Sequence, residues 1–314
     1  MTVESSAPGK LILFGEHASS RGFPALVFAV NNRIKITLNT SPTQGKILIT
    51  SKEYNVYKEE YPTAKLDVVT NTISSFFEKV TYHQRPFELV IESDLKSGFG
   101  SSAAVMIAVL GALNLQFETN LTKLDMLKLA TEINQSIKGY GSGLDLATSL
   151  FGGLIKFQQS KKPEHIPFDK LNFVIGNTGV KAPSGPIVKA VRDFESKNIR
   201  MANLLFTRIG EIVSEAEDAI LASDFRKLGI LMNENHSILK QMDVSSPILE
   251  DMVKSALLAG AIGAKLSGAG KGDNMIALVT DEKRDAVINV LNRTSGTALP
   301  ELKIDGYGLL VKKI

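Results

Sequence analysis

Residues 93–113 read SDLKSGFGSSAAVMIAVLGAL. A polar loop with two glycines and a serine pair runs straight into an unbroken apolar stretch. The apolar part from Ala103 to Leu113 predicts a buried helix, and a core helix alone needs no such loop before it. The preceding segment FELVIESDL (87–95) is rich in β-branched and apolar residues and predicts a strand. Strand, glycine-rich loop and helix N-terminus together make an anion site. The first amides of a helix lack partners inside it, and its dipole is positive there. Glycines let the backbone approach a phosphate, and Ser101 and Ser102 add hydroxyls that can bond phosphate or join a magnesium shell. The competing explanation is plain capping, since serine before a helix is common for its own sake.

Working outward, the first half is strand-rich: KLILFG (10–15), ALVFAV (25–30), RIKITL (33–38) and KILITS (46–51). Helical spacing appears over 66–80, 102–115 and 123–137. The loop KGYGSGLD leads to a short helix and then GGLIKF (152–157). The polar, two-proline stretch 158–170 is the candidate domain junction, giving domains of 1–160 and 161–314. Beyond it come a strand at 172–179, a helical block over 185–259, the glycine-rich KLSGAGKGDN (265–274), a strand, a helix, and a last strand near 302–311. No internal repeat or low-complexity tract is present in this 314-residue sequence. The pattern predicts an α+β protein rather than a regular βαβ series.

Composition narrows the class. Hydrophobic residues are 44% and charged residues 22%, as expected for a globular core. The net charge is +3, from 36 basic and 33 acidic residues, without a dense basic stripe, so no nucleic-acid partner is expected. The absence of cysteine excludes disulfides and thiolate chemistry. No stretch reads as a signal peptide or a membrane span, which predicts a cytoplasmic protein.

Two phosphate-loop motifs compete for residues 96–103. The Walker pattern GxxxxGK[ST] is absent. The dinucleotide fingerprint fits Gly98 to Ala103, with Glu118 about 20 residues on, but that acid should end a second parallel strand and NLQFETNLTKLD reads as a turn between helices. Two further loops lie outside that reading. In SAPGKLILFGEHASSRG, Lys10 follows Pro8-Gly9 at a strand start, and Glu16 and His17 lie beyond its end. In GYGSGLDLATSLFGG, Asp145 enters a short apolar segment. Taken singly, the lysine is a solvated strand end, the histidine structural and the aspartate a helix cap. Together with KLSGAGKGDN, one site for a phosphorylated ligand accounts for all of them more economically.

The motifs PGKLILFGEHA, GFGSSAA, SGLD and KLSGAGKGD, in this order, resemble the GHMP kinase superfamily over essentially the whole chain, and within it the mevalonate kinases most. The resemblance implies a two-domain fold, with a ribosomal-protein-S5-like N-terminal domain that binds ATP and a ferredoxin-like α/β sandwich at the C-terminus. It implies transfer of the γ-phosphoryl of ATP, with Mg2+, to the 5-hydroxyl of mevalonate. Lys96, Ser97, Gly98, Phe99, Gly100, Ser101, Ser102 and Ala103 would wrap the nucleotide phosphates, with Ser102 on magnesium. Asp145 would take the hydroxyl proton beside Lys10. Glu16 and His17 would contact the substrate, with His17 and backbone N–H groups as candidates for its carboxylate, and the backbone of Ser267, Gly268 and Ala269 would border the transferred phosphate.

The sequence departs from the family at the second magnesium ligand, where Asn134 replaces a glutamate; Glu132 lies two residues away. GSGLD and Lys271-Gly272-Asp273 resemble the phosphomevalonate kinases, whose more anionic substrate would want extra cations; Arg21 and Lys271 are the candidates. A nicotinamide dehydrogenase and a non-catalytic RNA-binding module of the same fold are the distant alternatives. A homodimer stays open.

Overall fold

The computed structural model describes residues 2–40, 45–80 and 85–314. In chain order the elements are β1 (Thr2–Phe14), β2 (Ala25–Asn39), β3 (Ile47–Ser51), β4 (Val56–Glu60), α1 (Asp67–Val80), β5 (Phe87–Ser93), α2 (Ser101–Gln116), α3 (Lys123–Lys138) and α4 (Leu144–Phe151). There follow β6 (Leu154–Phe157), β7 (Glu164–His165), β8 (Phe173–Asn177), α5 (Ser184–Lys197), α6 (Ile199–Leu221), α7 (Phe225–Gln241) and α8 (Pro247–Leu258). The chain closes with β9 (Gly263–Ser267), β10 (Asn274–Leu278), α9 (Asp281–Leu291), β11 (Thr297–Ala298) and β12 (Leu310–Lys313). Among the described residues no helix is long and apolar enough to cross a membrane.

The chain forms two compact units. Unit 1 comprises Met1–Lys10, Ala29–Gly153 and Asp305–Ile314; unit 2 comprises Leu11–Phe28 and Leu154–Ile304. The crossings fall inside β1 and β2 as well as near residues 153 and 304, so these units are not divided by one cut at residue 160. No composition shift marks a crossing inside a strand.

In unit 1 the strands run in the order β12-β1-β2-β5-β3-β4. β2 pairs antiparallel with β5, Ile36 opposite Ile91, and β3 pairs parallel with β5, Ile49 opposite Leu89. Over this part of β2, Ile34, Ile36 and Leu38 are buried while Lys35 is exposed, the period-2 pattern of a sheet covered on one face. α2 is buried over most of its length, from Ala103 to Leu113, with only Val105 half-buried, because it packs against α1, α3, α4 and β12. The C-terminal segment returns to this unit under Arg33, which ion-pairs with Asp305 and donates to the carbonyls of Ser6 (2.9 Å) and Gly308 (2.6 Å).

α3 begins with a capping box, Thr122 with Asp125, and ends at left-handed Gly139. Glu118 lies between α2 and α3 at φ 52° and pairs with Lys313. It ends no parallel strand, so the dinucleotide fingerprint lacks the structural context it requires.

In unit 2 the antiparallel sheet runs β11-β8-β10-β9, with Ile276 of β10 opposite Ile175 of β8 and Lys265 of β9. α7 and α8 pack on β9, and an Arg208 hub on α6 pairs with Glu211, Glu215 and, on α7, Glu234. In the same unit β6 pairs with Ala25–Phe28 of β2, and the Phe28 and Phe173 rings stack at 5.4 Å.

Candidate active site

In unit 1 the loop before α2 folds back onto β1. The amide of Lys10 donates to the carbonyl of Phe99 (2.9 Å), and a Cβ on Gly9 would lie 2.5 Å from Leu95 and 2.9 Å from the Phe99 carbonyl. Only glycine permits that approach. Gly100 stands at the N-terminus of α2 with φ 78° and supplies no side-chain cap. A Cβ there would meet the Lys10 side chain at 3.1 Å and a carboxylate oxygen of Asp145 at 3.7 Å. Lys10 Nζ lies 3.4 Å from Asp145 Oδ1; the lysine side chain is 7% exposed and the aspartate side chain 45%.

Both simple capping explanations fail here. Gly100, not a serine, caps α2, and Ser101 and Ser102 form its first turn, half-buried. Gly143 caps α4, so Asp145 sits one residue inside the helix with its carboxylate turned to Lys10. The loop 139–143 delivers it through three glycines of positive φ. The result is an uncapped helix N-terminus beside an ammonium and a half-open carboxylate, which suits a phosphate ester and a group that must lose a proton. Within the expected loop, Phe99 has its ring in the core and can offer only backbone; Lys96 and Ser97 are exposed.

Asn134 donates to the Tyr140 carbonyl at 3.4 Å, and its amide packs where a Cβ on Gly141 would fall. It braces the loop that carries Asp145. Glu132, two residues before Asn134, is exposed on another face of α3. Among the described residues no group of three or more His, Cys, Asp or Glu could hold a metal ion.

In unit 2 the turn after β1 is built differently. The sequence reading gives Glu16 to the substrate; its carboxylate is instead ion-paired with Lys265 of β9, and neither side chain has any exposure. Lys265 also donates to the Leu266 carbonyl (2.7 Å). Ser267, at the end of β9, accepts from the amide of Ile12 (3.0 Å) and donates to its carbonyl (2.9 Å). The His17 ring bonds through Nε2 to the carbonyl of Ala269 (3.0 Å). Since a carbonyl only accepts, Nε2 carries the hydrogen and the neutral ring keeps Nδ1 as an acceptor. Burial pushes the His17 pKa down to about 4; the Ala269 bond opposes this and the Arg21 charge adds to it. With that value the ring is neutral at pH 7 in the free protein. Gly268, at φ 99°, has open space where a side chain would stand.

The sequence reading missed Lys265 and Glu195, and it used Ser267 only for its backbone, whereas the Ser267 hydroxyl bonds to Ile12. A lone lysine in a short strand that runs into a glycine-rich loop was the available signal for the first. Arg21 bonds to Glu195 and to the carbonyl of His17 (2.9 Å), and Lys271 pairs with Asp243 (2.8 Å).

Comparison with known proteins gives a consistent pattern. Residues 67–153 match the N-terminal domain of GHMP kinases and residues 216–296 the C-terminal domain. The mevalonate kinase of Pyrococcus furiosus is 31% identical, the alignment covering 100% of this chain and 99% of that one. The crystal structure of L. major mevalonate kinase in complex with R-mevalonate superposes with a TM-score of 0.77 at 27% identity, covering 98% and 95% of the two chains. A protein from Listeria innocua shares the fold at a TM-score of 0.90 and 23% identity, covering 100% of both chains.

Proposed function

This chain belongs to the GHMP kinase family, and from that premise we propose that it transfers the γ-phosphoryl of ATP to the 5-hydroxyl of mevalonate. Full-length similarity to mevalonate kinases supports the acceptor. The observation that carries the chemistry is the Lys10–Asp145 pair under Gly100 at the N-terminus of α2. Phosphoryl transfer needs positioning and charge stabilisation more than covalent help from the protein. The amides and hydroxyls at the start of α2 bind the nucleotide phosphates. Asp145 accepts the proton of the acceptor hydroxyl. Lys10 balances the carboxylate and the charge that builds on the transferred group.

Magnesium supplied with the nucleotide neutralises phosphate charge. The half-buried Ser102 hydroxyl suits a cation that arrives already bound to ATP. A magnesium titration of Ser102→Ala that overlaid the wild type would remove Ser102 from that shell.

In unit 2 the neutral His17 ring offers Nδ1 to a hydroxyl of the acceptor, with the Gly268-Ala269 backbone beside it. A phosphorylated acceptor would need added cations. Arg21 is committed to Glu195 and a backbone carbonyl, and Lys271 faces Asp243, which favours mevalonate over its 5-phosphate. The deciding experiment is ATP consumption by purified protein with magnesium, comparing mevalonate with 5-phosphomevalonate. Turnover with mevalonate is expected. Turnover only with the phosphate would overturn the acceptor, and turnover with neither would reopen the choice of alcohol within the family.

A further inference from the structure

The turn carrying His17 is held against its own backbone preference. His17 has φ 61° and ψ −39°, outside the regions a histidine favours, and follows Gly15 at φ 101°. Three contacts on Glu16 and His17 hold it there. Glu16 is fixed by Lys265, the His17 ring by the Ala269 carbonyl, and the His17 carbonyl by Arg21 Nη1 at 2.9 Å. The first two involve β9 and its loop. The third leads elsewhere.

Arg21 is itself immobilised. Nε donates to Glu195 Oε2 at 2.9 Å and Nη2 donates to the same oxygen; Nη1 also reaches Ser20 Oγ at 3.0 Å. The guanidinium lies over the Phe206 ring of α6, 4.1 Å from its centroid, and the side chain is 16% exposed. Four of its five N–H groups thus act as donors to protein, in one plane set by Glu195 on α5 and Phe206 on α6. A lysine could hold the charge but not this fork.

We propose that Arg21 and Glu195 are a positioning pair for His17: Glu195 sets the plane of the guanidinium, and the guanidinium sets the carbonyl, and with it the ring, of His17. The proposal rests on the reading of His17 as an acceptor-binding group. It makes α5 and α6 part of acceptor recognition without either touching the acceptor. It also gives Arg21 a use other than receiving an anion.

The test uses the full chain with Arg21→Lys, Glu195→Gln and the charge swap Arg21→Glu/Glu195→Arg. Each is measured for the KM of mevalonate, the KM of ATP, kcat and thermal midpoint. Arg21→Lys and Glu195→Gln are expected to raise the KM of mevalonate about five- to tenfold while kcat and the KM of ATP stay within about twofold, the mark of lost ground-state binding. The swap is expected to recover the thermal midpoint and leave the KM high, because a carboxylate at position 21 cannot donate to the His17 carbonyl. Recovery of both would reduce the pair to a structural ion pair and overturn the proposal, as would an unmoved KM. If Arg21→Lys fails to fold, Glu195→Gln carries the same comparison. If the wild type ignores mevalonate, the acceptor reading fails, and 15N NMR of the histidine rings still decides the positioning. A single Nε2–H tautomer at His17 that becomes mixed in Glu195→Gln upholds it; an unchanged tautomer in that variant sinks it.

Discussion

Two ammonium–carboxylate pairs draw on the same short stretch of sequence, one through Lys10 and one through Glu16, and they differ in what surrounds them. In unit 1 the Asp145 side chain keeps 45% of its exposure and sits 3.4 Å from Lys10. In unit 2 neither Glu16 nor Lys265 has any. A carboxylate left half-open beside a cation can still receive a proton or a ligand. A pair closed off from water cannot, and its desolvation cost is offset only while both partners are present. Residue type does not separate the two pairs; exposure does. The first is the pair proposed for chemistry, and the second fixes the turn that carries His17.

The largest effect that would break this contrast is in turnover. Asp145→Asn should lower kcat by about 10²- to 10⁴-fold, the range for a lost general base, with circular dichroism and thermal midpoint nearly unchanged. Near-normal turnover would place the proton elsewhere, and a large loss of stability would make Asp145 architectural like Glu16.

The opposite signature belongs to the closed pair. Lys265→Met leaves Glu16 buried without its ammonium and should cost about 3–5 kcal/mol in denaturant unfolding. The double change Lys265→Met/Glu16→Leu should recover much of that loss, because apolar groups of similar volume replace a desolvated pair. A single change that left stability within about 0.5 kcal/mol, as surface substitutions do, would mean that water reaches the pair.

These distinctions set the limit of what the sequence made legible. The glycine-serine run followed by Ala103–Leu113 announced α2 and the glycine turn that starts it, since loop chemistry and apolar length are both local. Lys10 and Asp145 were readable through the motifs they sit in, and their proximity follows from Gly100, whose lack of a side chain is itself a sequence fact. The burial of Glu16 was not readable. It depends on Lys265, 249 residues away, and nothing local distinguishes a solvated lysine from one inside a sheet. Pro8 and Gly9 argue for a strand start at Lys10, yet β1 begins at Thr2, because residues 3–6 pair with β12 at the far end of the chain. The neutral state of His17 was hidden for the same reason: its cause is tertiary burial and a carbonyl 252 residues on.

The closed character of the unit 2 turn has a smaller consequence, in the pH dependence of stability. Burial is the main cause that lowers the pKa of both His17 and His236 below the ordinary histidine value, His17 to about 4. His236 accepts from the Leu266 amide through Nδ1 (3.3 Å) and lies 3.1 Å from Glu250 through Nε2. The Glu250 carboxylate raises its pKa, and Lys265 and Lys240 lower it. Both histidines bind protons more readily in the unfolded chain, where the value is about 6.5. Their contribution is therefore complete above that value and is lost as pH falls towards the folded value. For His17 alone, the loss between pH 7 and pH 5 comes to about 2 kcal/mol. Denaturant unfolding at the two pH values should show it, and His17→Asn should flatten the slope by about one proton's worth. An equal slope in wild type and variant would mean that the His17 ring is open to water.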